Sequence, residues 1–208
     1  MARHTGPTCK LCRREGTKLF LKGKRCESNK CKMDAGPAHA AMRKMRGKTS
    51  TYGRGLREKQ KMKLHYGLLE KQFRRYVDRA RSIKGNTTTA MVQMIERRLD
   101  NVVKRLGVAW APRHARQMIS HGHVRVNGKK VDIASYELRV GDEISFVDKT
   151  TITDLMKECQ HFNSRRMMVP SWLEFDETTF KGRVRSEPTM DEMSMPVDVQ
   201  LIVEWCSR

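Results

Sequence analysis

Apolar residues recur with helical spacing through the middle of the chain and give way to short alternations towards its end. In LLEKQFRRYVDRARS, residues 68–82, Leu68, Leu69, Phe73, Tyr76 and Val77 form one stripe and predict an amphipathic helix. An earlier helix is predicted over GRGLREKQKMKLH, residues 53–65, with Leu56, Met62 and Leu64 among its charges. After Gly85, Asn86 or Thr87 can cap a third helix carrying Met91, Val92, Met94, Ile95, Leu99, Val102, Val103 and Leu106, which runs on until Gly107. Pro112 suits the first turn of the next helix. Its Ala115, Met118 and Ile119 face inward, Arg113, Arg116, Gln117 and Ser120 outward, and Gly122 ends it.

The period then changes. HVRVNGKKV alternates around Asn127-Gly128, a two-residue hairpin signal, and DEISFVD predicts a further strand after a turn at Gly141-Asp142. In the tail, ITDLMKECQHF reads as a helix and VDVQLIVEW as a strand. Residues 34–52, DAGPAHAAMRKMRGKTSTY, lack apolar periodicity and read as a connector.

Charge narrows the choice of partner. The 208 residues carry a net charge of +20. The excess lies in residues 1–125, with 32 Lys and Arg against 8 Asp and Glu, whereas residues 126–208 carry 11 against 15. Such an imbalance favours a polyanionic partner. No apolar run is long enough to span a bilayer, and the opening MARHTGPTCK lacks a signal-like apolar stretch, so a cytoplasmic location is expected.

The cysteines add chemistry. Cys9, Cys12, Cys26 and Cys31 are spaced C-x2-C-x13-C-x4-C, which lets two pairs of thiolates close a tetrahedron around a zinc ion or a 4Fe-4S cluster. Four sulfurs leave no open position for catalysis. His4 or His39 could replace one sulfur, and ordinary reduced cysteines are the plainer alternative. Leu11, Leu19, Phe20 and Leu21 are too few to collapse unaided, so a structural ion would hold the knuckle together. The flanking cations are expected to lower the thiol pKa values. Cys159 and Cys206 have no such spacing and read as small core residues.

The candidate phosphate-gripping side chains are Arg13, Arg14 and Lys22 on the knuckle, Arg57, Lys59 and Lys63 on the first helix, and Arg74 on the second. Arg98, Arg105, Arg113, Arg116, Gln117, His121, His123 and Arg125 follow within thirty residues. Guanidinium forks can hold phosphates bidentately, and the two histidines can reach sugar or base edges.

ERRLDNVVKRLG followed by ARQMISHGHVRVNGKKVDIASYELRVGDEI resembles the αL RNA-binding module. With the cysteines, GLREKQKMKLHYGLLEKQFRRY, VPSWLEFD and QLIVEWCSR, the chain is similar end to end to the small-subunit ribosomal protein four family, in its metal-retaining form. The resemblance implies an α+β fold. A four-cysteine metal knuckle (1–45) and a helical domain (46–90) precede the αL module of two helices and a small antiparallel sheet with its following helix (91–160). A C-terminal strand segment (161–208) then packs back on the helical domain. It implies a structural constituent of the small subunit rather than an enzyme, one that binds the 5′ domain of 16S rRNA, nucleates assembly and contributes to translational accuracy. The implied partners are small-subunit proteins three and five and mRNA where it enters the subunit, with no membrane and no small-molecule substrate. GPAHAAMRKMRG departs from the family's glycine-flanked turn, leaving the path of residues 36–50 open, and Trp205-Cys206 departs near the end.

Two other classes compete. Arg98-Leu99-Asp100 matches the Arg-Leu-Asp of pseudouridine synthases, but the helical stripe buries Leu99 and leaves Asp100 on a charged flank, with no catalytic domain to surround it. A zinc-dependent DNA reader would present base-reading side chains to the major groove, whereas these helices offer mainly arginine.

Overall fold

The computed structural model describes residues 4, 6–33, 50–164 and 168–207. His39 and nearly all of the predicted connector lie outside them. The chain divides into two compact units, residues 1–91 with 195–208, and residues 92–194.

In the first unit, a short helix α1 (Cys9–Glu15) and a single turn α2 (Lys24–Glu27) carry three of the four clustered cysteines, and Cys31 follows shortly after. Leu11, Leu19 and Leu21 are buried with Cys12 and Met195, so apolar packing contributes to this region together with any ion. Phe20, expected among those core residues, points outward instead and is 43% exposed. Helix α3 (Thr51–His65) starts at a Ser50 cap whose hydroxyl accepts from Gly53 N–H at 3.1 Å. Helix α4 (Glu70–Ser82) buries Phe73, Tyr76 and Val77 of the predicted stripe together with Ala80, while Leu68 and Leu69 precede its first turn.

Residues 199–207 form a helix, α9 (Val199–Ser207), and not the predicted strand. Two features that alternation masked explain the difference. Asp198 accepts from Leu201 N–H at 2.9 Å as an N-cap, and Val199 and Ile202 share the buried face. The helix packs on α3 where Gly55 leaves room: a Cβ there would lie 2.8 Å from Trp205 Cδ1.

The second unit is a helical layer beside a five-stranded sheet. The helix expected to run unbroken to Gly107 is two, α5 (Thr87–Glu96) and α6 (Leu99–Arg105), separated by extended backbone at Arg98. No glycine or proline marks the break. It forms because Leu99 and Asp100 donate their N–H groups to Tyr136 and Ala134 carbonyls, at 2.8 and 3.2 Å, instead of to the preceding helical turn. The Asn101 side chain then satisfies the Glu96 carbonyl at 2.9 Å. Helix α7 (Pro112–Ser120) has Pro112 in its first turn.

The strands β1 (Val124–Val126), β2 (Lys129–Lys130), β3 (Glu143–Phe146), β4 (Leu173–Asp176) and β5 (Lys181–Val184) are ordered β2-β1-β3-β5-β4, with every neighbouring pair antiparallel. Asn127 and Gly128 at the β1–β2 turn have φ of 51° and 76°, the doubly left-handed geometry of a type I′ turn. Strands β4 and β5 extend the predicted small sheet, so residues 161–194 belong with this unit and not with a separate C-terminal segment. Helix α8 (Thr150–Asn163) matches its predicted pattern and buries Met156 and Cys159. Its last residue, Asn163, donates to the Gly107 carbonyl at 2.6 Å. The core collects Leu99, Val103, Leu106, Ile119, Ile144 and Trp172, all close to fully buried.

Candidate nucleic-acid interface

The basic residues of the second unit separate into an outer row and an inner network. Arg113 and Gln117, one turn apart on α7, are exposed, followed by Ser120 and His121. Strand β1 has the burial pattern in-out-in, which buries Val124 and Val126 and turns Arg125 outward, opposite Lys130 in register. The His121 and His123 rings meet edge to face with centroids 6.0 Å apart. Burial, together with the charges of His121, Lys149 and Lys130, pushes the His123 imidazole below its ordinary pKa. At neutral pH it therefore favours the uncharged ring, able to donate and accept at once. This row offers cations, an amide and an imidazole on a helix face continuous with a hairpin, a set suited to phosphate, sugar and base-edge contacts.

Arg98 and Arg116 lie elsewhere, and here the expectation of outward forks is corrected. Arg98 is 2% exposed and Arg116 8%, and both enclose Asp100, itself 4% exposed. Asp100 accepts from Arg98 Nε and Nη2, both at 3.1 Å, and from Arg116 Nε at 3.1 Å and Nη2. Asp100 is thus an interior counter-ion and not a flank residue. Arg105 is mostly covered too, between the Glu96 carboxylate at 3.8 Å and the Glu192 carbonyl. These contacts make the guanidiniums internal fasteners of the surface that carries Arg113 and Arg125.

In the first unit, burial alone would raise the Glu70 carboxyl, but hydrogen bonds from Lys59 and Lys63 outweigh it and hold the pKa at about 2. Lys59 is 3% exposed, with its ammonium 4.4 Å from the Trp205 ring centroid, so it is a core cation and not the expected phosphate contact. Lys63 reaches Glu70 at 3.1 Å, and Arg74 reaches it at 3.3 Å while staying largely exposed. Arg57 and Arg14 both approach the buried Glu15 carboxylate, at 3.4 and 3.0 Å, and keep about half of their side chains in solvent. Arg13 and Lys22 are exposed beside the cysteines.

Of those cysteines, Cys12, Cys26 and Cys31 are buried and Cys9 is half-buried. Lys22 N–H donates to Cys26 Sγ at 3.3 Å. Burial foremost, and then the charges of neighbouring cysteines, push the Cys12 and Cys26 thiols up, opposite to the lowering expected from the flanking cations. Four thiols are, by their chemistry, ligands for a soft ion. Among the described residues, no group of three or more His, Cys, Asp or Glu stands in an array that could hold a metal. No helix among them is long and apolar enough to cross a membrane.

Comparison with known proteins places a boundary close to the one between the two units. Residues 3–96 match the family described as "Ribosomal protein S4/S9 N-terminal domain", and residues 97–144 match "S4 domain". The chain is 50% identical to "Small ribosomal subunit protein uS4" of Fervidobacterium nodosum over the whole of both chains. It is 48% identical to proteins of the same description from Natranaerobius thermophilus and Dictyoglomus thermophilum, again over both full lengths.

Proposed function

Because the chain belongs to the small ribosomal subunit protein uS4 family, a family of structural and not catalytic proteins, we propose that it binds the 5′ domain of 16S rRNA and helps to nucleate small-subunit assembly. The observation that carries this reading is the exposed row Arg113, Gln117, His121, Arg125 and Lys130, set on an interior whose own cations are already paired. Mainly cationic contacts on a rigid surface suit a folded RNA recognised by shape and backbone. Contact with small-subunit proteins three and five, a place beside incoming mRNA and an influence on accuracy rest on the family resemblance. So does a zinc ion or a 4Fe-4S cluster on Cys9, Cys12, Cys26 and Cys31, for which the thiolate chemistry and C-x2-C-x13-C-x4-C spacing speak.

The test is binding of the full chain to the 16S 5′ domain and to duplex DNA of equal length, across a range of salt. Preference for the rRNA is expected. Arg125→Ala and Arg113→Ala should each reduce the slope of log K against log salt by about 0.7–0.9 without altering the fold. Equal affinity for both nucleic acids would refute the reading.

A further inference from the structure

Phe20 combines an unfavourable backbone conformation with a partly exposed ring. Its φ is +50°, a region that a bulky side chain rarely adopts. Among the described residues, two other non-glycine residues have positive φ, and each has an evident reason: Asn127 forms the hairpin turn, and Phe180 is buried with its ring 6.3 Å from that of Phe175. Phe20 is 43% exposed, between Leu19 at 0% and Leu21 at 9%. The two leucines anchor the backbone in the knuckle's core, and the residue between them is turned outward as a consequence. Around it the chain reads Lys18-Leu19-Phe20-Leu21-Lys22-Gly23-Lys24-Arg25, with Lys22, Lys24 and Arg25 exposed.

An outward-turned aromatic side chain with exposed cations two to five residues along the chain matches one kind of partner. Stacking on an aromatic side chain accommodates any unpaired base, while neighbouring cations take the adjoining phosphates. We propose that Phe20 is a stacking platform for one unpaired nucleobase of the bound RNA, with Lys22 and Lys24 on the flanking backbone. This rests on the rRNA-binding reading above and adds to it a second contact region, which grips by stacking as well as by charge.

The experiment compares Phe20→Asn, Phe20→Trp and Lys22→Ala with the native full chain, using the 16S 5′ domain as ligand. Asparagine tolerates positive φ, so Phe20→Asn should leave the unfolding midpoint unchanged or higher. Its affinity should fall by about 5-fold to about 150-fold at an unaltered salt slope, because a stack and no phosphate contact is lost. Chemical probing should show one unpaired nucleotide regaining reactivity. Phe20→Trp should retain affinity, and Lys22→Ala should flatten the slope. Native affinity in Phe20→Asn, or a loss that tracks a lowered midpoint, overturns the proposal while leaving the rRNA reading intact. Failure of the native chain to prefer rRNA overturns both.

Discussion

Replacing Asp100 by alanine removes one carboxylate and leaves two interior guanidiniums facing each other. Arg98 and Arg116 each place two nitrogens on that carboxylate, and the side chains of Arg98, Asp100 and Arg116 are 2%, 5% and 10% exposed. Breaking a buried pair in this way typically costs about 3–5 kcal/mol, far above the roughly 0–1 kcal/mol of an exposed ion pair. For a unit of about a hundred residues, 1 kcal/mol moves the midpoint by about 4–8 °C, so the second unit should melt at least about 10 °C lower. Trp110 and Trp172 lie in that unit and Trp205 in the other, so fluorescence in a Trp205→Phe background isolates the transition. Asp100→Ala combined with Arg116→Ala should cost less than the two single changes added, as expected of groups that share a partner. Replacing Arg98, Asp100 and Arg116 together by Met, Leu and Met should recover much of the loss, since well-packed apolar groups can stand in for an ion cluster. A shift below about 1 kcal/mol in Asp100→Ala would refute the reasoning. RNA binding supplies an independent check: where Arg116→Ala remains folded, its salt slope should match the native one, and a slope flattened by about 0.7–0.9 would mean that Arg116 reaches phosphate after all.

Glu70 is held at about 2 when folded, below its unfolded value near 4.5, so its contribution is present above pH 4.5 and is lost as the pH falls towards 2. Urea midpoints of the first unit, followed by Trp205 emission, should decline across that window, and Glu70→Gln should lack this component. Gly55→Ala should destabilise the same unit by about 1–3 kcal/mol, because the new methyl meets Trp205 Cδ1 at 2.8 Å, which outweighs the roughly 0.5–1 kcal/mol helix-propensity gain; an unchanged midpoint would contradict the packing described. Chelation of anaerobically purified protein should expose the amides of residues 9–31 to hydrogen exchange while those of 99–146 stay protected, and equal protection before and after would remove the structural ion from the proposal.

What could be read from the sequence was set by local rules. The stripe on α4 and the Asn127-Gly128 turn are each specified by neighbours within a few positions, and both formed as their patterns require. The split between α5 and α6 was hidden because it depends on backbone carbonyls at Ala134 and Tyr136, more than thirty residues away. The roles of Arg98, Arg105, Arg116 and Lys59 were hidden for a related reason. A surplus of cations shows that many must face outward, but not which few find Asp100, Glu96 or Glu70 inside. Asn163 carried no motif, since a single amide closing the end of α6 on Gly107 is recognisable only in three dimensions. For α9 the signal was present: Asp198 precedes an i, i+3 apolar pair, and alternation over the same residues obscured it.

The return of residues 195–208 to the first unit sets a timetable for synthesis. Residues 92–194 leave the ribosome as a unit with all of its own core, whereas the first unit waits for Met195 beneath Leu11 and Leu19, and for Trp205 against Gly55. The later-encoded body can therefore close on one contiguous stretch, whereas the earlier-encoded one cannot be finished until the last residues are made. A message cut short near codon 194 would yield a product whose second unit is intact and whose first is missing its final helix, open to proteases where that helix should lie.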